Sequence, residues 1–252
     1  MSSLFTHYIA LGDSISIDLY PALDAGDMEV AVALERRPGA GAVGKLGAAS
    51  LLYENDDARW PDFAGDDLRS RYPGITLTNL ASDGATIGEV YGAQLAEVAE
   101  SARPTVVTLS VGGNDLLSAF AARPGTRLMA SVVRDVAQAY AFLVDRLVDL
   151  RPNARLLLTT VYDPSDGSRA VPGLFDGDGP LPLEHLDALN EEIRAVADRV
   201  PQALLADVHA HFLGHGATAD LSEQWYWKRS LIEPNARGAS EVRWVWLDGL
   251  RG

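Results

Sequence analysis

The 252-residue sequence contains no cysteine. That absence excludes disulfides, thiolate metal sites and a cysteine nucleophile at once, and it suits a reducing compartment. Long hydrophobic runs are missing too. Nothing approaches the roughly 18 to 20 consecutive apolar residues of a membrane span, so none is expected. Positive charge is scarce, with 21 Lys and Arg against 35 Asp and Glu and a formal net charge of −14. A nucleic-acid partner needs clustered Lys and Arg to meet phosphate, so none is expected. The acidic surplus serves solubility, and no single-sign block is long enough to be a tail. Met1–His7 has no basic segment, long apolar segment or small-residue cleavage site, so a cytoplasmic location is expected. Asp56-Asp57 and Asp176–Asp178 lack the spacing of a calcium loop, and His209 and His211 have no third ligand in evidence. Neither a metal nor a cofactor is expected.

What is there reads as one soluble domain: 47% of the residues are hydrophobic and 22% charged. Short apolar, β-branched runs at His7–Leu11, Ile75–Leu80, Val106–Val111, Leu156–Val161 and Ala203–Val208 predict strands. Helical patterns lie between them at Pro61–Tyr72, Ile87–Ser101, Thr126–Leu150 and Leu183–Val200, and a last one at Asn235–Leu247. This alternation predicts a parallel sheet covered on both faces. Two segments interrupt it. Ser16–Arg59 is a long excursion carrying Gly39, Gly41, Gly44 and Gly47, and Pro164–Pro182 is a loop rich in Pro, Gly and Asp. Loops of that length in a single domain are often lids or pocket walls.

The chemistry gathers at strand ends. The first strand ends in Gly12-Asp13-Ser14, and in an open α/β sheet ligands bind outside the carboxyl ends of the strands. Ser14 therefore sits where a substrate lies. Asn79–Thr86 follows the second strand and contains Gly84, whose backbone N–H can approach a bound oxygen with no side chain intervening. Gly112-Gly113-Asn114-Asp115 follows the third strand, and Asn114 brings an uncharged amide donor. The Ser14 N–H, the Gly84 N–H and the Asn114 amide together make a candidate oxyanion hole. Asp13 and Asp115, beside the nucleophile and the amide donor, are candidate substrate contacts, and Asp115 is also a candidate to cap the following helix or orient the loop.

These blocks resemble, in order and placement, the first three blocks of the SGNH (GDSL-like) hydrolase family. The resemblance covers about the first 115 residues. It implies a three-layer α/β/α sandwich with a five-stranded parallel sheet in flavodoxin-like order, a serine nucleophile and a small-molecule ester substrate. Such substrates range from short acyl esters to lipids and acetylated sugars.

The family's last block departs from the pattern. It commonly has Asp three residues before His, then Pro-Asn and Gly. Here the stretch is Ser230-Leu231-Ile232-Glu233-Pro234-Asn235, with Gly238 further on. Ser230 stands at the Asp position and Glu233 at the His position. A serine hydroxyl is a poor nucleophile until a neighbour takes its proton, so three readings compete. Glu233 is itself the base, its pKa raised by burial. Alternatively, a histidine from elsewhere serves, with His215, flanked by Gly214 and Gly216, slightly favoured and Glu233 orienting its ring. Or the site has lapsed, leaving an ester- or glycan-binding protein on a hydrolase fold. Trp225, in Trp225-Tyr226-Trp227 just before this block, is the aromatic candidate for contact with an acyl chain or sugar.

Overall fold

The computed structural model describes residues 5–29, 45–122, 126–174 and 180–251. Five strands form one parallel sheet: β1 (His7–Gly12), β2 (Thr76–Asn79), β3 (Thr105–Ser110), β4 (Ala154–Thr159) and β5 (Ala203–Ala206). Their spatial order is β2-β1-β3-β4-β5. This is the flavodoxin-like doubly wound arrangement, whose switch point lies between β1 and β3.

Successive strand residues point to opposite faces, and each face has its own core. Ile9, Leu11, Val107, Leu109, Leu156 and Leu158 pack on one side. There they meet the buried stripes of α6 (Thr126–Leu150) and α7 (Leu183–Arg199), among them Tyr140, Leu143, Val144 and Leu147, and Leu189, Ile193 and Val196. Tyr8, Ala10, Val106 and Leu157 face the other way. They are covered by α2 (Ala48–Tyr53) and α9 (Ala236–Arg251), which contribute Leu52, Val242, Trp246 and Leu247. The Trp246 indole donates to Thr159 Oγ1 at 3.0 Å, fixing α9 to the sheet.

The expected strands and the long helices occur where the periodicity placed them; two shorter helices do not. Pro61–Tyr72 breaks into a 3-10 turn (Pro61–Phe63) and α3 (Leu68–Arg71), separated at Gly65, where φ is +77°. Ile87–Ser101 forms only α4 (Ile87–Glu89), one turn of π-helix (Val90–Gln94) and a 3-10 turn ending at Glu97. A hairpin not foreseen in the sequence, β6 (Tyr226–Trp227) against β7 (Ser230–Pro234), precedes α9. The Ser16–Arg59 excursion holds α1 (Leu19–Ala25) and α2. Asp18 ties them together, accepting from the Leu46 and Gly47 amides at 3.0 and 2.7 Å and from the Ser50 hydroxyl. Gly39, Gly41 and Gly44, and Asp176 and Asp178 of the later loop, lie outside the described residues.

Candidate active site

The site begins with the way β1 ends. Gly12 has φ +126°, and a Cβ there would stand 2.0 Å from the Ser110 carbonyl oxygen of β3. Only glycine fits, and the chain can turn off the sheet immediately afterwards. The Asp13 amide donates to Ser110 O at 2.9 Å. Asp13 then caps a single 3-10 turn, Ser14–Ser16, by accepting from the Ile15 amide at 3.2 Å. Ser14 opens that turn, where a backbone N–H has no helical partner and remains available to a ligand.

Gln94 braces this turn from behind. Its side-chain oxygen accepts from the Gly12 amide and its nitrogen donates to the Gly12 carbonyl, both at 2.8 Å. The same nitrogen reaches Ser82 Oγ at 3.3 Å, and the Ser82 amide donates to Gly12 O. The π-turn that ended the expected helix early is what carries Gln94 here. Such turns recur at functional sites.

Asn114 lies in the first turn of α5 (Gly113–Ala121), which leaves β3 through Gly112 at φ +120°. Its Nδ2 donates to the carbonyl of Ala85 at 3.1 Å. An amide nitrogen carries two hydrogens, so one remains for a substrate. Gly84, with φ +69°, immediately precedes Ala85 in the exposed turn after β2. Asp115 accepts from the Ile87 amide at the start of α4 and does not line the cavity at Ser14. Its carboxylate orders the loop that holds Gly84; it is not placed as a substrate contact.

Glu233 comes from β7. The Tyr162 hydroxyl donates to the neighbouring Ile232 carbonyl at 2.6 Å. Asn235 fastens the hairpin behind it, donating to Gln224 O at 2.8 Å and accepting from the Gly238 amide at 2.8 Å. Glu233 is 7% exposed and Ser14 6%. Burial pushes the Glu233 carboxyl up to about 7; the nearby Ser14 hydroxyl opposes the rise, and the charge of Asp83 adds to it. Among the described residues, Glu233 Oε2 has no hydrogen-bonding partner. Asp13 is raised as well, to about 8, chiefly by burial and further by the charge of Glu233. Tyr20 donates to Asp83 at 3.0 Å on the outer side of this acidic group.

A cavity of about 110 Å³ opens beside Asp13, Ser14, Asn114 and Glu233. His215 is not part of it. Its Nδ1 pairs with the Glu223 carbonyl at 2.9 Å, and its ring stacks on Trp225 with centroids 3.6 Å apart. The glycines beside His215 serve a different end: both the Gly214 and Gly216 amides donate to Asp166. Trp225 is also turned away from the cavity, buried among His215, His211 and Phe212. The expectations of His215 as base and Trp225 as substrate contact are therefore corrected. On α8 (Val208–Phe212), His209 bonds Val161 O and His211 pairs with Glu241, and on β1 His7 pairs with Thr78. His185, at the start of α7, does line the cavity.

Sequence reasoning passed over Tyr162 and Asp163, which also line the cavity. They follow β4, so the rule that ligands sit at carboxyl ends of strands already pointed to them. Gln94 gave no comparable signal, because one glutamine in a helical pattern is indistinguishable from a surface residue.

Residues 10–240 match the GDSL-like lipase/acylhydrolase family. The chain belongs to that family. The fold agrees with solved structures of similar size. An α/β hydrolase enzyme (LAE5) from the metagenome of Lake Arreo is 20% identical with a TM-score of 0.62, covering 98% of this chain and 95% of that one. The acetylxylan esterase Axe2 from Geobacillus stearothermophilus is 17% identical with a TM-score of 0.60, covering 98% and 96%. Phospholipase A1 from Streptomyces albidoflavus NA297 is 18% identical with a TM-score of 0.59, covering 97% and 99%. No curated protein matches the sequence. Membership of the GDSL-like family makes this chain a hydrolase of the ester-cleaving kind. Among the described residues, no helix is long and apolar enough to cross a membrane, and no group of three or more His, Asp or Glu is disposed to hold a metal ion.

Proposed function

We propose that the protein hydrolyses carboxylic esters through an acyl-Ser14 intermediate, with Glu233 as general base. The observation that carries this reading is the buried Glu233 carboxyl, its pKa about 7, which lines the same small cavity as Ser14. An ordinary glutamate is about two pKa units too acidic to take a serine proton efficiently at neutral pH. Burial removes most of that mismatch.

Ionised Glu233 takes the hydroxyl proton as Ser14 Oγ attacks the ester carbonyl. Negative charge moves to the carbonyl oxygen, which the Ser14 N–H, the Gly84 N–H and the Asn114 amide receive. The start of α5 adds the positive end of its dipole to the same region. Collapse breaks the bond to the alcohol oxygen, which takes the proton from Glu233 and leaves. Water then attacks the acyl carbon, gives its proton to Glu233, and the acid departs as that proton returns to Ser14 Oγ. Asp13 contributes by capping the turn that presents Ser14.

The test is hydrolysis of p-nitrophenyl acetate by the wild type and by Ser14→Ala. Activity that disappears in the variant supports the reading. Equal inactivity of both proteins across several acyl lengths replaces it with an ester- or glycan-binding protein that has no turnover. Activity that survives Ser14→Ala ends the assignment of the nucleophile.

A further inference from the structure

Building on the ester-hydrolase reading, we propose that the cavity beside Ser14 is an acyl pocket. The substrate is then an ester of an aliphatic acid of about four to eight carbons, not an acetylated sugar.

The site fixes how an ester lies. Its carbonyl oxygen must point to the Ser14 amide and Asn114, and its leaving oxygen must face Glu233 to receive the proton. On the Asn114 side, α5 turns one face to the cavity: Gly113, Leu116, Leu117 and Phe120 all line it. They stand at i, i+3, i+4 and i+7, a continuous stripe on a helix. Met129 of α6 and Leu186 of α7, both buried, line the cavity as well. The oxyanion donor thus leads directly onto a wall of leucine, phenylalanine and methionine.

The side beyond Glu233 differs in character. Asp83 is exposed and accepts from Tyr20, and neither residue lines the cavity. Polar, hydrated groups there suit the departing alcohol, and the apolar stripe suits the acid's chain. A sugar needs hydrogen-bonding side chains or aromatic platforms. The α5 stripe has neither to offer beyond Phe120. Tyr162 and Asp163 are engaged with Ile232 O and with Ser165 and Gly167, which leaves His185 as one polar side chain opposite the stripe, and Trp225, Trp227 and Trp244 are not in the lining. The volume sets the length. A Leu/Ile/Phe-lined cavity of about 150 Å³ holds six-carbon benzene, so about 110 Å³ with an open mouth takes a chain of comparable carbon count.

The experiment pairs turnover with binding. kcat/KM for p-nitrophenyl esters from acetate to palmitate should climb about fourfold per methylene up to hexanoate or octanoate, then level or fall. Leu186→Trp, filling the pocket, and Leu117→Gln, wetting it, should each lower the hexanoate-to-acetate ratio at least tenfold. Two variants on different helices guard against one failing to fold. Binding of 2-octanone and acetone to Ser14→Ala, measured by titration calorimetry, should favour 2-octanone at least tenfold, and Leu186→Trp should abolish the preference. A flat or falling chain-length profile with Ser14-dependent turnover of acetate overturns the pocket and leaves the esterase reading intact. Absence of turnover with the 2-octanone preference present overturns the esterase reading and supports the pocket. Absence of both overturns both.

Discussion

Glu233 and Ser14 are both buried and face one cavity, and the Glu233 carboxyl has a pKa of about 7, close to that of free imidazole. The family commonly has histidine at this position. Burial thus gives a carboxylate the proton affinity that imidazole has by its nature. One consequence is that a rate limb near neutrality does not by itself distinguish the two bases, and substitution must decide.

Glu233→Gln keeps the shape of the side chain and removes its basicity. It should lower kcat on p-nitrophenyl acetate by about 10²–10⁴. His215→Ala should stay close to wild type, because that ring is held by Glu223 and Trp225 away from the cavity. A large loss in His215→Ala with near-normal Glu233→Gln reverses the assignment.

The pH profile carries a second expectation. kcat/KM should rise with pH through a limb near 7 as Glu233 ionises. Asp83 helps to hold that limb up through its negative charge. Asp83→Asn should therefore move it to lower pH, and a limb that stays in place or moves upward contradicts this source of the shift.

Stability should move the opposite way from that of a salt-bridged protein. The folded chain keeps a proton on Glu233 between its ordinary value of 4.5 and about 7, where the unfolded chain has released it. The folded state binds more protons there, so stability declines as pH rises through that window. Glu233→Gln removes the penalty. Urea denaturation should find the variant more stable than wild type at pH 8 by on the order of 1–3 kcal/mol, with little difference at pH 4. Equal gains at both pH values exclude ionisation as the cause.

The turn that presents Ser14 should tolerate little. Gly12→Ala puts a Cβ against the Ser110 carbonyl at a backbone angle L residues avoid, and it should reduce both soluble yield and activity. Gln94→Leu retains bulk and leaves the Gly12 amide without its side-chain partner. A buried polar group left in that state costs about 1–3 kcal/mol. The variant should melt at lower temperature and lose activity on esters, and an unchanged melting curve argues against the brace.

The sheet and its order were legible because each strand is a short apolar run between turn residues. That Ser14 and Asn114 face one cavity was legible because each follows such a run. Glu233 was legible only as a departure from a pattern. Nothing in the spelling of Ser230–Pro234 says that a hairpin buries that carboxylate against Ser14. His215 misled for a related reason. Flanking glycines advertise a sharp turn, and here the turn gives two amides to Asp166 instead of aiming a ring at the substrate. The helix expected over Ile87–Ser101 failed because periodicity does not record a tertiary bond, and Gln94 is drawn to Gly12 across 82 positions of sequence.

Gln94 acts, in effect, as a one-residue strand. Gly12 is paired with Ser110 of β3 on one side. On the other side β2 is already diverging, its ladder register ending at Ala10 opposite Asn79. A primary amide offers the same acceptor and donor as a peptide group, and Gln94 presents both to Gly12. The sheet can therefore part at this point with its last rung still hydrogen-bonded. The substrate cavity lies on the other side of β1, over the ends of β3 and β4, so the edge that β2 abandons is sealed by one side chain and the Ser14 turn is left open to an ester on its front alone.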